Sequence, residues 1–329
     1  MTYQNELETA LEAVREASLL CRSVQSSLDR GAMEKRDRSP VTVADYGSQA
    51  LICRKLGEKF PGDPIMAEED AKALREPENH AVLNRMVAEV RKVVPDAGPE
   101  EVTSWIDRGN AATYSRRFWT LDPIDGTKGF LRSEQYAIAL ALIVEGEPVV
   151  AALACPNLEV SGTVGNVFGA VAGQGAFREP IEGEPDRTAV SVSEIADPSR
   201  ARFCESVESA HTSHSEAVAL AEELGIRREP YRLDSQAKYA VVAAGEAEIY
   251  LRLTRHTGYV ENIWDHAAGA LVVEEAGGKL TDLNGERLDF SRGPRLEKNV
   301  GIVASNGRFH DRILEVLARI QSNPIEQQR

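Results

Sequence analysis

Strand-like and helical segments alternate along the chain, and this alternation restricts the possible folds more than any other feature of the sequence. Residues 137–144 and 149–154 are apolar segments that we predict to be adjacent strands, joined by a turn at 145–148. The predicted helices of the second half, which strand-like segments separate, are 216–224, 235–244 and 265–276. Alternation of this kind is typical of a layered α/β or α+β architecture.

The chain has 329 residues, which is enough for one large domain or two fused domains. We predict an N-terminal α+β domain over residues 1–158 and a C-terminal α/β domain over residues 159–329. The first domain begins with a helix, because apolar residues such as Leu7 and Leu11 recur at helical spacing. Within it, the charged segment at about 71–105 is predicted to be a helical insertion.

The chain is strongly acidic, with a formal net charge of −14. This balance argues against a general nucleic-acid binder, which would carry a basic face, although bound metal ions can reverse the field around a small anionic ligand. No apolar run is long enough to span a bilayer, and the acidic first ten residues do not resemble a signal peptide. We expect a cytoplasmic, monomeric protein with no membrane or nucleic-acid partner.

The segment 122–127, Asp-Pro-Ile-Asp-Gly-Thr, places two carboxylates three residues apart around a turn. Pro123 fixes one φ angle, so Asp122, Asp125 and an intervening carbonyl can converge on Mg²⁺, which prefers oxygen ligands. Gly126 lets a phosphate approach the backbone closely, and its amide and that of Thr127 can bind phosphate oxygens if a helix begins there. Taken alone, an Asp-x-x-Asp pair is more often an acidic turn on a solvated surface.

Three further acids follow separate predicted segments. Asp45 closes the stretch 39–45, Glu68 follows a short apolar strand, and Asp265 begins a predicted helix. Taken singly, Glu68 is more often a surface acid and Asp265 a helix N-cap. Together with the pair at 122–127 they are a plausible metal-binding set, because two or more metals held by shared carboxylates neutralise a phosphate and activate its nucleophile.

Two motifs make the chain similar to a known family. The turn at 122–127 and the segment 264–269, Trp-Asp-His-Ala-Ala-Gly, resemble the signatures of the inositol monophosphatase superfamily, the lithium-sensitive, magnesium-dependent phosphatases. The longer block 122–132 resembles the branch that hydrolyses 3'(2'),5'-bisphosphate nucleotides. Further segments that resemble this branch are 39–45, 155–158 and 233–239. The resemblance covers nearly the whole chain and implies a layered αβαβα sugar-phosphatase fold.

The resemblance also implies roles for individual residues. Two or three Mg²⁺ ions would be bound by Glu68, Asp122, Asp125, Asp265 and the carbonyl of Ile124. Asp45 and Thr127 would position and activate the attacking water. The substrate would be held by Gly126, Thr127, His211, Ser235, Lys238, Arg252 and Asp265. His214 is an alternative to His211, and one departure from the family pattern is Ala67, where a glycine usually precedes the paired glutamates.

The function that the resemblance implies is hydrolysis of the 3'-phosphate of adenosine 3',5'-bisphosphate to AMP and phosphate, and also of its sulfated analogue, by direct attack of metal-activated water. A substrate with two phosphates needs a second anionic subsite, for which Lys238 and Arg252 are suitable cations. Alternatively, Lys238 is a solvated helix charge, and Arg252 pairs with Glu246 or Glu248. The competing functions are an inositol polyphosphate 1-phosphatase, an inositol monophosphatase and, less favoured, a catalytically silent sensor of adenosine bisphosphate.

Overall fold

The first two helices of the computed structural model lie side by side on one face of a sheet. The structure describes residues 2–27, 39–207, 214–253 and 259–322. Helix α1 spans Gln4–Ser26 and α2 spans Ser39–Lys59, and both contribute to the same buried core. The predicted first helix is therefore confirmed. The stretch 39–45 was expected to come before a helix, but it forms the beginning of α2. Pro40 is compatible with this position because it lies in the first turn, where its missing N–H costs no hydrogen bond.

A seven-stranded sheet follows, in which the strands lie in the order of the sequence. The strands β1 and β2 are parallel, and every later neighbour is antiparallel. The strand bounds are β1 Ile65–Ala67, β2 Arg117–Asp125, β3 Ala137–Val144, β4 Glu147–Val160, β5 Thr163–Val171, β6 Ala176–Pro180 and β7 Thr188–Val190. Two short 3₁₀ helices and two α-helices lie between β1 and β2, at the position of the predicted helical insertion. The two α-helices are α3 (His80–Val90) and α4 (Pro99–Asp107). A short helix, α5 (Thr127–Leu131), follows β2 directly.

Within the described residues, the second sheet has five strands: β8 Phe203–Glu205, β9 Tyr231–Arg232, β10 Ile249–Arg252, β11 Lys279–Thr281 and β12 Ile302–Ser305. They lie in the order β11-β12-β10-β8-β9. The helices of this half are α6 His214–Leu224, α7 Ala237–Ala243, α8 Ala267–Glu275 and α9 His310–Ser322. The helix predicted from residue 265 begins two residues later, so Asp265 lies in the turn before α8.

The strand β3 shows how the layers are stacked. Its side chains alternate, so Leu140 joins the core that contains α1 and α2, whereas Ala141 joins the core that contains α7 and α8. A third core lies beyond the second sheet, where Leu251 of β10 packs with residues of α6 and α9, such as Leu220 and Ile313. The layers therefore run helix, sheet, helix, sheet, helix, and the predicted αβαβα fold is confirmed.

The division of the chain at residue 158 does not coincide with the division between the sheets. Residues 158 and 159 lie inside β4, which continues through a shift of register between Cys155 and Glu159. A β-bulge of this kind absorbs an irregular residue without ending the strand. The change from one sheet to the other comes between Val190 and Phe203, and the assignment of two domains stays a prediction. Across the residues that the structure describes, no helix combines the length and the apolar content needed to cross a bilayer.

Candidate active site

The end of β2 and the beginning of α5 form the turn that the sequence singled out. Asp122 is buried within the strand, Asp125 is its last residue, and Gly126 has a left-handed backbone with φ of 89°. A Cβ atom at Gly126 would lie 2.9 Å from Cβ of Ser235, so only glycine fits this position without displacement. The predicted binding of phosphate by the amides of Gly126 and Thr127 required a helix to begin here. The helix α5 does begin at Thr127.

Four of the five acids predicted to converge have raised pKa values, and the causes include the charges of other acids in the set. Burial and then the charges of Glu68, Asp125, Asp265 and Asp45 raise the pKa of Asp122 well above its usual value. Burial of the carboxyl group, followed by the charges of Asp265 and other acids, raises the pKa of Glu68 to about 8, although the residue as a whole is exposed. Burial and the two glutamates after β1 raise the pKa of Asp45 in the same direction. The structure thus brings these acids together.

This acidic cluster fits a group of divalent cations. Among the described residues, no hydrogen-bond donor reaches Oδ1 of Asp45 or Oδ1 of Asp122, although both atoms are buried. Buried carboxylates without partners are costly unless they are protonated or coordinate a metal. Oxygen-rich sites of this kind suit hard cations such as Mg²⁺. Ile124 is buried between the two aspartates, and the binding of a metal by its carbonyl stays a prediction.

A cavity of about 230 Å³ opens beside the cluster, between the 125–128 turn and the second sheet. Apart from the residues predicted from sequence, Lys128, Ser206 and Tyr250 are among those that line it. His211 lies outside the described residues, so its role stays a prediction, and His214 is the first residue of α6. The predicted site residues that line the cavity are Asp125, Gly126, Thr127, Ser235, Lys238, Arg252 and Asp265.

Two buried or half-buried cations also line the cavity, and we call them the cationic wall. Lys238, only 4% exposed, has Nζ 5.3 Å from the centre of the Tyr250 ring and 3.5 Å from the carbonyl oxygen of Leu233. Burial lowers the pKa of Lys238. It is therefore not a solvated helix charge. Nε of Arg252 donates to Glu261 at 2.9 Å, and its Nη2 lies 3.9 Å from Asp265.

The partner of Arg252 is a residue that the sequence did not reveal. Glu261 is 2% exposed, and it contacts Nε2 of His266 at 3.2 Å, while Nδ1 of His266 lies 2.7 Å from the hydroxyl of Tyr239. Ligand atoms of Glu261, Asp265 and His266 lie within 4.8 Å of one another. Because Glu261 and His266 already have hydrogen-bond partners, we interpret the set as a network that orients Arg252. No local pattern signals it, since its members meet only in the fold.

The segment between β9 and α7 connects the two groups of residues. Ser235 has a left-handed backbone with φ of 70°, which is uncommon for a residue with a side chain. The backbone N–H of the next residue, Gln236, donates to Oδ2 of Asp125 at 2.6 Å. Another contact joins Arg132 to the carboxylate of Asp234. The strained turn therefore ties the second half of the chain to the acidic turn after β2.

Comparison with known proteins agrees with this geometry. The sequence model that describes the inositol monophosphatase family matches residues 2–322 of this chain. A relative from Oryza sativa is 43% identical over 339 residues, covering 96% of this chain and 94% of the relative, and one from Schizosaccharomyces pombe is 40% identical, covering 98% and 97%. Both are named 3'(2'),5'-bisphosphate nucleotidase.

Solved structures show the same fold at low sequence identity. The inositol monophosphatase (IMPase) of Thermotoga maritima is 21% identical, with a TM-score of 0.65 and coverage of 97% of this chain and 98% of that one. CysQ from Bacteroides thetaiotaomicron, described as a bacterial member of the inositol monophosphatase family, is 19% identical, with a TM-score of 0.61 and coverage of 92% and 98%. Together with the family match and the sequence relatives, these likenesses show that the chain belongs to the inositol monophosphatase family, as its motifs at 122–127 and 264–269 predicted.

Proposed function

We propose that the chain is a 3'(2'),5'-bisphosphate nucleotidase that removes the 3'-phosphate of adenosine 3',5'-bisphosphate and releases AMP and inorganic phosphate. The shared name of relatives that match nearly the full chain supports this substrate class. The observation that carries the proposal is one cavity that is lined by two carboxylates, Asp125 and Asp265, and by two cations, Lys238 and Arg252. Such a cavity offers a place for a reacting phosphate and for a second phosphate.

Two or three Mg²⁺ ions would complete the acidic side of the site. Glu68, Asp122, Asp125 and Asp265 would hold them, together with the carbonyl of Ile124. When bound, such ions supply a nucleophile at neutral pH and stabilise charge on the leaving oxygen. The unpartnered carboxylate oxygens and the raised pKa values of the cluster support this assignment.

The chain's own groups would orient the water and the phosphate. Asp45 is buried next to the acidic cluster, and its raised pKa suits a carboxylate that accepts a proton. The hydroxyl of Thr127 is exposed on the cavity wall and would hold the water with Asp45. Gly126 has no side chain between the backbone and the cavity, so a phosphate oxygen can approach its amide. We expect direct attack, without a phosphoenzyme.

The second phosphate would be recognised by the cations of the cationic wall. Arg252 donates through Nε to Glu261 and has Nη2 3.9 Å from Asp265, and a phosphate would take the place of such longer contacts at its terminal nitrogens. Lys238 would act as a point charge, and Ser235 would add a hydroxyl. A contact between His211 and the nucleotide belongs to the same proposal, and so does hydrolysis of the sulfated analogue, 3'-phosphoadenosine 5'-phosphosulfate.

A phosphate-release assay with Mg²⁺ tests the proposal directly. It compares kcat/KM for adenosine 3',5'-bisphosphate, 3'-phosphoadenosine 5'-phosphosulfate, inositol 1,4-bisphosphate and inositol monophosphate. We expect the two nucleotides to be preferred, and we expect EDTA, lithium and Asp125→Asn each to reduce turnover. Preference for an inositol phosphate would replace the substrate assignment, and binding of adenosine bisphosphate without phosphate release would indicate a sensor. Rapid-quench detection of a phosphorylated protein would refute direct attack.

A further inference from the structure

Gln236 lies between the two carboxylates that flank the cavity, and the roles assigned above do not include it. The residue is 2% exposed and precedes α7 directly. Its backbone N–H donates to Asp125 at 2.6 Å, its side-chain Nε2 donates to the carbonyl of Trp264 at 2.9 Å, and its Oε1 accepts from the N–H of Gly269 at 3.3 Å. Trp264 is the neighbour of Asp265, so one residue contacts both carboxylate-bearing segments.

The hydrogen bond from the N–H of Gly269 suits a Gln236 side chain that is held in one position. Gly269 lies in the first turn of α8, where a backbone N–H has no partner within the helix, and the amide oxygen of Gln236 supplies one. A Cβ atom at Gly269 would lie 2.1 Å from the Tyr239 ring, so α8 and α7 are in close contact at this point. Neither helix can shift there without disturbing the hydrogen bonds of Gln236.

An amide is well suited to this place for an electrostatic reason. The site needs a donor for the Trp264 carbonyl and an acceptor for the Gly269 N–H, and an amide side chain provides both without carrying a charge. A glutamate would supply no donor when ionised and would add a further charge beside Asp125 and Asp265. The local conformation also depends on Ser235, whose left-handed backbone directs the Gln236 N–H towards Asp125.

We propose that Gln236 is a positioning residue that holds Asp125 and Asp265 at the separation required to share divalent cations. This inference rests on the proposed function, because it assigns metal binding to these two carboxylates. Its side chain acts by holding the segments that carry the carboxylates, although the residue also lines the cavity. Groups that orient the ligands of a metal typically change its affinity about 10–100-fold when they are replaced.

The test measures Mn²⁺ binding to the metal-free full-length chain by electron paramagnetic resonance, without substrate. Gln236→Met keeps the length and neutrality of the side chain and the backbone N–H that donates to Asp125, but it removes both side-chain hydrogen bonds, so Mn²⁺ affinity should fall about 10–100-fold. The matched control is Asn306→Leu. Asn306 is also a buried amide that donates to backbone carbonyls, those of Ser193 and Ile195, and accepts from a backbone N–H, that of Arg308. This control should keep the wild-type affinity within about twofold.

A second readout separates positioning from a general loss of structure. For Gln236→Met, turnover of adenosine 3',5'-bisphosphate should be low at limiting Mg²⁺ and recover as Mg²⁺ is raised, which mere unfolding would not allow. Should this variant fail to fold by circular dichroism, Gln236→Asn, which keeps the amide but shortens its reach, takes its place. A folded variant with wild-type Mn²⁺ affinity would overturn the proposal. Failure of the proposed substrate would be seen separately, as Mn²⁺ binding by a wild-type chain that releases no phosphate from the nucleotide.

Discussion

The acidic wall, which is the cluster of acids beside the cavity, and the cationic wall, which is formed by Lys238 and Arg252, differ in how far the chain itself satisfies their charges. On the acidic side, Asp45 and Asp122 each have a buried oxygen without a donor within the described residues. On the cationic side, Arg252 is bonded to Glu261, and Lys238 lies over the ring of Tyr250. Within the described residues, buried oxygens of the acidic wall are thus left without donors, as expected of a site that cations complete, whereas both residues of the cationic wall have partners in the protein.

Removal of one acid should have the largest effect. Asp122→Asn would remove a charged ligand, so we expect kcat to fall about 10²–10³-fold, the range found when one electrostatic stabiliser of a transition state is lost. The metal-free variant should unfold at the same temperature as the wild type or higher, because repulsion with Glu68 and Asp125 is relieved. Steady-state kinetics and calorimetry in EDTA measure the two quantities.

The control for this substitution is Asp197→Asn, an exposed acid that caps the 3₁₀ helix Pro198–Arg200. It changes the same chemical group without touching the cluster, so kcat should stay at the wild-type value. Full turnover by a folded Asp122→Asn variant would show that the acidic wall is not the metal site.

A buried histidine at the start of α9, in contact with the second sheet, provides a contrasting dependence on pH. Burial and then the charge of Lys279 lower the pKa of His310 to about 4, and its ring nitrogens contact Thr281 and Ser305 at 2.9 and 2.8 Å. Because the folded pKa lies below the unfolded value of about 6.5, the unfolded chain binds a proton first, and stability is lost as pH falls from about 6.5 to 4. The loss should reach about 3 kcal/mol.

Urea unfolding between pH 4 and 7.5 measures this loss. His310→Gln should flatten the dependence of the unfolding free energy on pH, because glutamine does not titrate. The exposed His80 gives the control, since His80→Gln should keep the wild-type slope. An unchanged slope in His310→Gln would assign the acid sensitivity to other groups.

The cationic wall should separate a substrate with two phosphates from a substrate with one. Lys238→Met keeps the buried stem and removes the charge, so we expect KM for adenosine 3',5'-bisphosphate to rise about 10–100-fold, the equivalent of one charge-assisted hydrogen bond. KM for a simple monophosphate should change much less. Lys55→Met, which removes a cation paired with Glu16 on the surface of α2, is the control. Equal changes for both substrates would contradict the second subsite.

Periodic segments and the acidic turn could be predicted from sequence, because their information is local. The alternating faces of β3 and the stripe of α1 follow from spacing alone, and the turn at 122–127 has the helix start that its glycine and threonine indicated. The boundary at residue 158 stays a prediction as a domain boundary, but it falls inside β4, because a bulge lets this strand continue past Pro156. A proline inside a strand does not by itself show whether the strand ends there.

The pairing of the cations could not be predicted, because it depends on groups that only the fold brings together. The alternative to phosphate binding by Arg252 was a pair with Glu246 or Glu248, yet Glu248 accepts from the backbone N–H of Arg202, and Arg252 bonds to Glu261. Gln236 lies in the segment 233–239, which was recognised by resemblance. Its hydrogen bonds to Asp125 and Trp264 could not be predicted, because these segments meet only in the fold.

Removal of the metal ions should have the smallest effect on folding stability. The resulting dependence of stability on pH should be opposite in sign to the dependence that His310 causes. In the metal-free protein the pKa of Glu68 is about 8, above the unfolded value of about 4.5, and those of Asp45 and Asp122 are raised too. The folded chain then holds protons that the unfolded chain has released. Its stability is full below about pH 4.5 and is lost as pH rises towards 8.

In EDTA we therefore expect the unfolding temperature to decrease by about a few degrees between pH 6 and 8.5. Saturating Mg²⁺ should abolish this decrease, because the cations take the place of the protons and release them on binding. Asp122→Asn should weaken the decrease in EDTA, whereas His310→Gln should make it slightly steeper near pH 6, because the unfolded histidine, with a pKa of about 6.5, still binds a proton there and the folded one does not. An unfolding temperature that rises with pH in EDTA would mean that the acids are ionised without metal, and the contrast between the two walls would then be wrong.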